Sequence, residues 1–204
     1  CERQIAPIQA IIKAYAKRLR TFIDDEEYMP VYNAIVSGEP FPLPQKSEVS
    51  KLGKDKKRVV YTYPEAENTV LKLLTYLMLR KYDGLFVPSL YSFRPNRNAK
   101  TAARSLVSCK GINDKFAYKL DVSNYFNSVD INRFLPMLKN ALEDDSRLYE
   151  LLSKLLCEKR VLSGKDIICE QKGIMAGTPL SAFYANLYLS ELDKRFYDRE
   201  IGRA

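Results

Sequence analysis

No histidine occurs anywhere in the 204 residues. That absence excludes Ser-His and Cys-His nucleophilic catalysis, His-ligated zinc and the His-x-Glu deaminase motif. Any chemistry must run on carboxylates, backbone groups and a bound metal. The four cysteines, Cys1, Cys109, Cys157 and Cys169, form no Cys-x-x-Cys pair. Neither a zinc cluster nor a disulfide framework is indicated, and reduced thiols of a cytoplasmic protein are the simplest account. No apolar run approaches the roughly 20 residues of a membrane span. The opening CERQIAPIQ lacks signal-peptide organisation. Internal repeats and low-complexity tracts are missing too.

What is present is an ordinary globular composition with an excess of positive charge. Lys and Arg number 33 against 25 Asp and Glu, giving a net charge of +8. The excess is concentrated in two stretches. Lys51, Lys54, Lys56, Lys57 and Arg58 cluster in SKLGKDKKRVV, and Arg94, Arg97, Lys100 and Arg104 in YSFRPNRNAKTAAR. The second stretch has no acid in it. Such patches fit phosphate-bearing partners, and each fits a solvated face as well.

Periodicity gives an α+β chain. Ile5, Ile8, Ile12, Tyr15, Leu19 and Phe22 recur at helical spacing from Ile5 to Ile23. A Pro-rich connector, Glu39 to Gln45, reads as extended. RVVYTY follows as a short strand, and Thr62 with Glu65 suggests a capping box around Pro64. The next helix carries Val70, Leu71, Leu74, Leu77 and Met78 on one face. Another begins near Asn98 with Ala99, Ala102, Ala103, Leu106 and Val107 inward. In KFAYKLDV, Phe116, Tyr118, Leu120 and Val122 alternate with Ala117, Lys119 and Asp121, the period of a strand whose apolar side needs a core. Asp130 is placed to cap a helix bearing Phe134, Leu135, Leu138 and Leu142, which Pro136 should bend or shorten. Leu148 to Leu156 form one more helix, and VLSGKDII reads as a hairpin. A long helix from about Pro179 to Phe196 is apolar nearly all round through Leu189, so it is buried on more than one side.

Three segments in order, YSFRPNR, DVSNYFNSV and GIMAGTPLSAFYANLYLSELD, resemble reverse transcriptases. The likeness is to the bacterial group that includes group II intron maturases, retron enzymes and defence-associated relatives. The resemblance implies the right-hand polymerase fold, with helical fingers and an incomplete antiparallel palm sheet. Residues 1–112 would form the fingers and 113–204 part of the palm, with 145–175 returning to the fingers. The implied activity is RNA-directed DNA polymerisation with an RNA template, a DNA or RNA primer, dNTPs, and Mg2+ or Mn2+. Two divalent ions about 3.5–4 Å apart stabilise the attacking and leaving oxygens of such a displacement. A hard ion of this kind prefers oxygen ligands, so histidine is not needed.

Carried over residue by residue, Asp121 matches the first metal-binding aspartate and the carbonyl of Val122 its neighbouring ligand. Phe126 matches the bulky residue that bars a ribose 2′-hydroxyl, although a packed aromatic is the other account of it. Lys51 and Arg58 resemble the residues that grip the triphosphate, and Lys56 or Lys57 fit that alignment equally. Gly177 is implied at the nucleotide. Arg94, Asn96, Arg97, Lys100, Pro179 and Ser181 are implied at the template, with a structural ion pair as the alternative for Arg94. Ala176 departs from the family, which usually has Gln there. The aromatic-x-Asp-Asp hairpin that in the family comes after these segments and supplies the remaining metal ligands does not follow them within the 204 residues. The expectation is therefore a polymerase fragment that is inactive by itself. The rivals are a non-catalytic nucleic-acid-binding module and an untemplated polymerase or antiphage effector. The residues say nothing of oligomeric state.

Overall fold

A computed structural model describes residues 25–50, 57–170 and 173–199. The helix expected over Ile5 to Ile23 lies outside them. The described residues form seven α-helices and one four-stranded mixed sheet, an α+β arrangement.

Helix α1 (Asp25–Ser37) leads through the Pro-rich connector into β1 (Gln45–Ser50). Strand β2 (Lys57–Thr62) pairs with β1 antiparallel, from Gln45 opposite Thr62 to Ser50 opposite Lys57. The other two strands come from a hairpin about a hundred residues on, β3 (Arg160–Ser163) and β4 (Asp166–Cys169). β3 joins β1 in parallel where Gln45 meets Leu162, and Leu162 N–H donates to the Pro44 carbonyl at 2.9 Å. The strand order is β2-β1-β3-β4. The two-residue Gly164-Lys165 turn matches the twist of the hairpin it closes.

Helix α2 (Glu65–Lys81) starts directly after Pro64, which occupies the cap position with no side-chain cap bond. The expected Thr62–Glu65 box does not form. Thr62 is still paired in β2, and Glu65 is the first helical residue rather than the third. Charge compensates, with Glu65 and Glu67 in the first turn and Arg80 and Lys81 in the last. Leu71 and Met78 face the core as the spacing predicts. Helix α3 (Ala99–Val107) has the reciprocal cap that α2 lacks. Thr101 N–H donates to Asn98 Oδ1 at 3.0 Å, and Asn98 N–H to Thr101 Oγ1 at 2.8 Å.

Helix α4 (Ile131–Ala141) is capped by Asp130, and α5 (Ser146–Cys157) by Asp145. Pro136 does not shorten α4, because Phe134 and Leu138 on either side of it are fully buried and hold the helix in place. The expected single helix from Pro179 to Phe196 is two: α6 (Ser181–Tyr188) and α7 (Ser190–Tyr197). The break at Leu189 separates a segment buried nearly all round from one whose Glu191, Lys194 and Arg195 meet solvent. Phe183 and Tyr184 of α6 centre the core, packing edge-on to Phe86 and Phe134 at centroid distances of 6.1 and 5.6 Å. Complete burial of a side chain such as Phe183 contributes about 2–3 kcal/mol over leaving it in water.

Two expectations fail outright. Residues 115–122 form no strand, and Phe116, Tyr118 and Leu120 are 91%, 88% and 84% exposed. Alternation defines two faces of an extended chain, but a ladder needs a neighbour for its N–H and C=O groups. No described strand lies beside this one, so the expected palm sheet is not built and the sheet that exists uses other residues. The apolar face of α3 is likewise uncovered. No residue of that helix is buried, and Leu106 and Val107 lie open to solvent.

Candidate functional site

Helix α6, part of the third motif segment, is the anchor to which the other two attach. Tyr125 donates its hydroxyl hydrogen to the Ala185 carbonyl at 2.6 Å, fixing the turn that follows Asp121. Asn186, next along and buried, donates from Nδ2 to the Ser92 carbonyl at 2.9 Å and so holds the SFRPNR loop. The segment leading into α6 is tied on both sides. Ile174 N–H donates to the Phe126 carbonyl at 2.8 Å, and Tyr61 N–H of β2 donates to the Ala176 carbonyl at 2.9 Å.

Two glycines make these approaches possible. A Cβ on Gly173 would lie 2.5 Å from the Phe126 carbonyl oxygen and 2.6 Å from that of Val129, both backbone atoms that cannot swing aside. Gly177 has φ +96°, and its Cβ would meet Tyr61 O and Val60 Cβ at 3.1 Å. Gly177 therefore rests on β2 beside Val60. Arg58 shares that face of the strand, two residues along. Two of the residues expected at the nucleotide, Gly177 and Arg58, thus lie on one face of β2.

Asp121 and Val122 lie on the exposed, unladdered stretch, and Asn124 turns the chain with φ +51°. Phe126 is half-buried, with its ring against Tyr125 at 5.6 Å and its edge on the core. The residues present do not complete a divalent-ion site. Among the described residues no three His, Cys, Asp or Glu side chains converge. Asp121 with the Val122 carbonyl is at most part of one.

Arg94 belongs to the fold rather than to an open surface. Its Nε and Nη2 donate to the Asp83 carboxylate at 2.8 and 2.9 Å, and Nη2 also to the Asp83 carbonyl at 3.3 Å. Nη1 donates to the carbonyls of Val87 and Leu90 at 2.6 and 3.3 Å. These contacts use all five donors of the guanidinium. The ion-pair alternative is the one realised, and nothing is left for a template. Ser181 is also turned inward, buried, with Oγ donating to the Thr178 carbonyl at 2.7 Å.

The other template candidates are open. Asn96 is exposed at φ +58°. Arg97 donates to the Pro88 carbonyl and lies 5.4 Å above the Tyr91 ring, with no ion pair among the described residues. Lys100 is exposed on α3, and Pro179 is half-buried before α6. In the other patch, Lys57 pairs with Glu48 at 3.0 Å, and Arg58 stays exposed. Lys51 and Lys56 lie outside the described residues.

On the opposite side of β2, Lys46 and Tyr61 both donate to the carboxylate of Glu170 just past β4. Burial, then the bond to Glu170, raises the Tyr61 phenol above its ordinary value. This buried cluster had no signature in the sequence, since its members come from β1, β2 and the residue after β4. Gly173 had one, in the Gly-x-x-x-Gly spacing of GIMAG, but spacing alone does not name the carbonyls it lies against. No described helix is long and apolar enough to cross a membrane. Compared with protein-family models and with curated protein sequences, the chain matches none.

Proposed function

We propose that this chain is the fingers and first part of the palm of a bacterial reverse transcriptase, acting in the cytoplasm. The polypeptide that carries it extends a primer 3′ end with dNTPs on an RNA template. One observation supports this most: YSFRPNR and DVSNYFNSV, widely separated in sequence, are both hydrogen-bonded to α6 of the third motif segment, through Asn186–Ser92 and Tyr125–Ala185.

In this proposal Asp121 and the Val122 carbonyl contribute to a Mg2+ site, whose other ligands come from outside the described residues. Phe126 bounds the sugar. Arg58, with Lys51 or Lys56, meets the triphosphate, and Gly177 lets the chain approach the nucleotide closely. Asn96, Arg97, Lys100 and Pro179 follow the template, with Arg94 and Ser181 stiffening that surface from behind. Primer extension on an RNA template with dNTPs and Mg2+ is the test. The full polypeptide extends the primer, Asp121→Asn lowers the rate by about 100-fold or more, and the 204-residue chain alone gives no product. Extension that survives Asp121→Asn overturns the assignment. Among the described residues no three carboxylates converge, and the second reading is a non-catalytic nucleic-acid-binding module. Template binding without extension by the full polypeptide selects it, and extension without template selects an untemplated polymerase instead.

A further inference from the structure

Phe93 is 57% exposed, and its backbone stands at φ +53°. L-residues other than Asn and Asp rarely adopt that conformation, and a bulky aromatic almost never does. The chain holds it there from both sides. The Ser92 carbonyl is fixed by Asn186, and the Arg94 guanidinium is clamped by Asp83, Val87 and Leu90. The core therefore gains little from this ring, and the turn would form more easily with glycine. An outlier that neither packing nor local geometry favours points to a role in binding.

The surroundings name the chemistry. From Tyr91 to Arg104 there is no acidic residue. Arg97 stacks over Tyr91, and Lys100 and Arg104, one turn apart on α3, are both exposed. An exposed aromatic in one acid-free stretch with exposed cations is what an unpaired base and its phosphates require. We propose that Phe93 is a stacking platform for one unpaired base of a single-stranded nucleic acid lying along residues 91–104. This inference rests on the nucleic-acid reading above and adds to it a residue and a contact.

Binding of the 204-residue chain to a labelled single-stranded RNA of about 16 nucleotides tests it, by fluorescence anisotropy across salt concentrations. Phe93→Ala weakens binding about 10-fold with the salt slope unchanged, because stacking neutralises no phosphate. Phe93→Trp binds at least as tightly as the unaltered chain. Phe93→Gly loses binding like the alanine variant yet melts at a higher temperature, since glycine relieves the left-handed backbone. With 2-aminopurine in the RNA, the unaltered chain quenches its fluorescence and Phe93→Ala does not. If Phe93→Ala binds as well as the unaltered chain, while Arg97→Ala with Lys100→Ala weakens binding and flattens the salt slope, the platform is overturned and the nucleic-acid surface stands. If the unaltered chain binds no RNA at low salt, both fall.

Discussion

Asn186 and Ser92, 94 positions apart in sequence, are joined by a 2.9 Å hydrogen bond from a buried amide to a loop carbonyl. Together with the Tyr125–Ala185 bond one residue earlier, it makes one turn of α6 the common support for two motif loops. Asn186→Ala removes the donor and leaves a carbonyl unsatisfied, so it lowers stability by about 1–3 kcal/mol. Urea unfolding measures the loss. Amide hydrogen exchange shows residues 91–97 opening more readily, while α4 and α5 keep their protection.

Arg94→Ala strips partners from two carbonyls and from Asp83. The loss is about 2–4 kcal/mol, and Arg94→Lys recovers little, because one ammonium cannot reach all the acceptors. The Arg94 bond holds the Asp83 carboxyl below its ordinary value. A lowered acid contributes stability that is present above the unfolded pKa and lost as pH falls through the folded one. The unaltered chain therefore loses stability below about pH 4, and Arg94→Ala shows a shallower decline in melts taken across that range.

Gly173→Ala drives a Cβ into two backbone carbonyls that bracket the Phe126 turn. Relief requires a shift of main chain, at a loss of about 2–3 kcal/mol. Thermal melting measures it. A variant as stable as the parent would mean that the turn and the 173–174 segment do not touch as described.

Burial pushes the Tyr63 phenol up to about 12, and burial also raises Tyr61, Tyr82 and Tyr184. In the unfolded chain these groups ionise near pH 10. Their contribution is complete below that pH and is lost as pH rises through the folded values, for Tyr63 between 10 and about 12. The melting temperature falls steeply across that window. Phenolate absorbance then shows these four tyrosines titrating above the ordinary value of a free phenol.

Phe116 and Leu120 contribute almost nothing to the described core, and their exposure makes the extended stretch prone to self-association. Phe116→Lys with Leu120→Lys leaves the melting midpoint within the effect of about 0.5 kcal/mol. Light scattering at high protein concentration falls for the double variant.

Local chemistry made much of the fold legible. Asp130 caps α4 because its carboxylate reaches N–H groups two and three residues on. The Ser163–Asp166 hairpin closes because a two-residue turn suits paired strands. Helical spacing named Leu71, Met78, Phe134, Leu138, Leu152 and Leu156 as core, and burial follows it. These depend on contacts within a few residues, which a sequence contains in full.

Other outcomes were settled only by what lies far along the chain. KFAYKLDV alternates as a strand must, but the period says nothing of whether another strand offers its hydrogen bonds. Arg94 and Arg97 look alike in SFRPNR. Arg94 turns inward because Asp83, Val87 and Leu90 supply acceptors in the right places, and Arg97 remains at the surface. Sequence alone determined the charge, the absence of histidine, the Asp130 cap and the amphipathic faces. Tertiary structure decided which faces found a partner and which cations turned inward or stayed at the surface, because burial and hydrogen bonding are properties of neighbours.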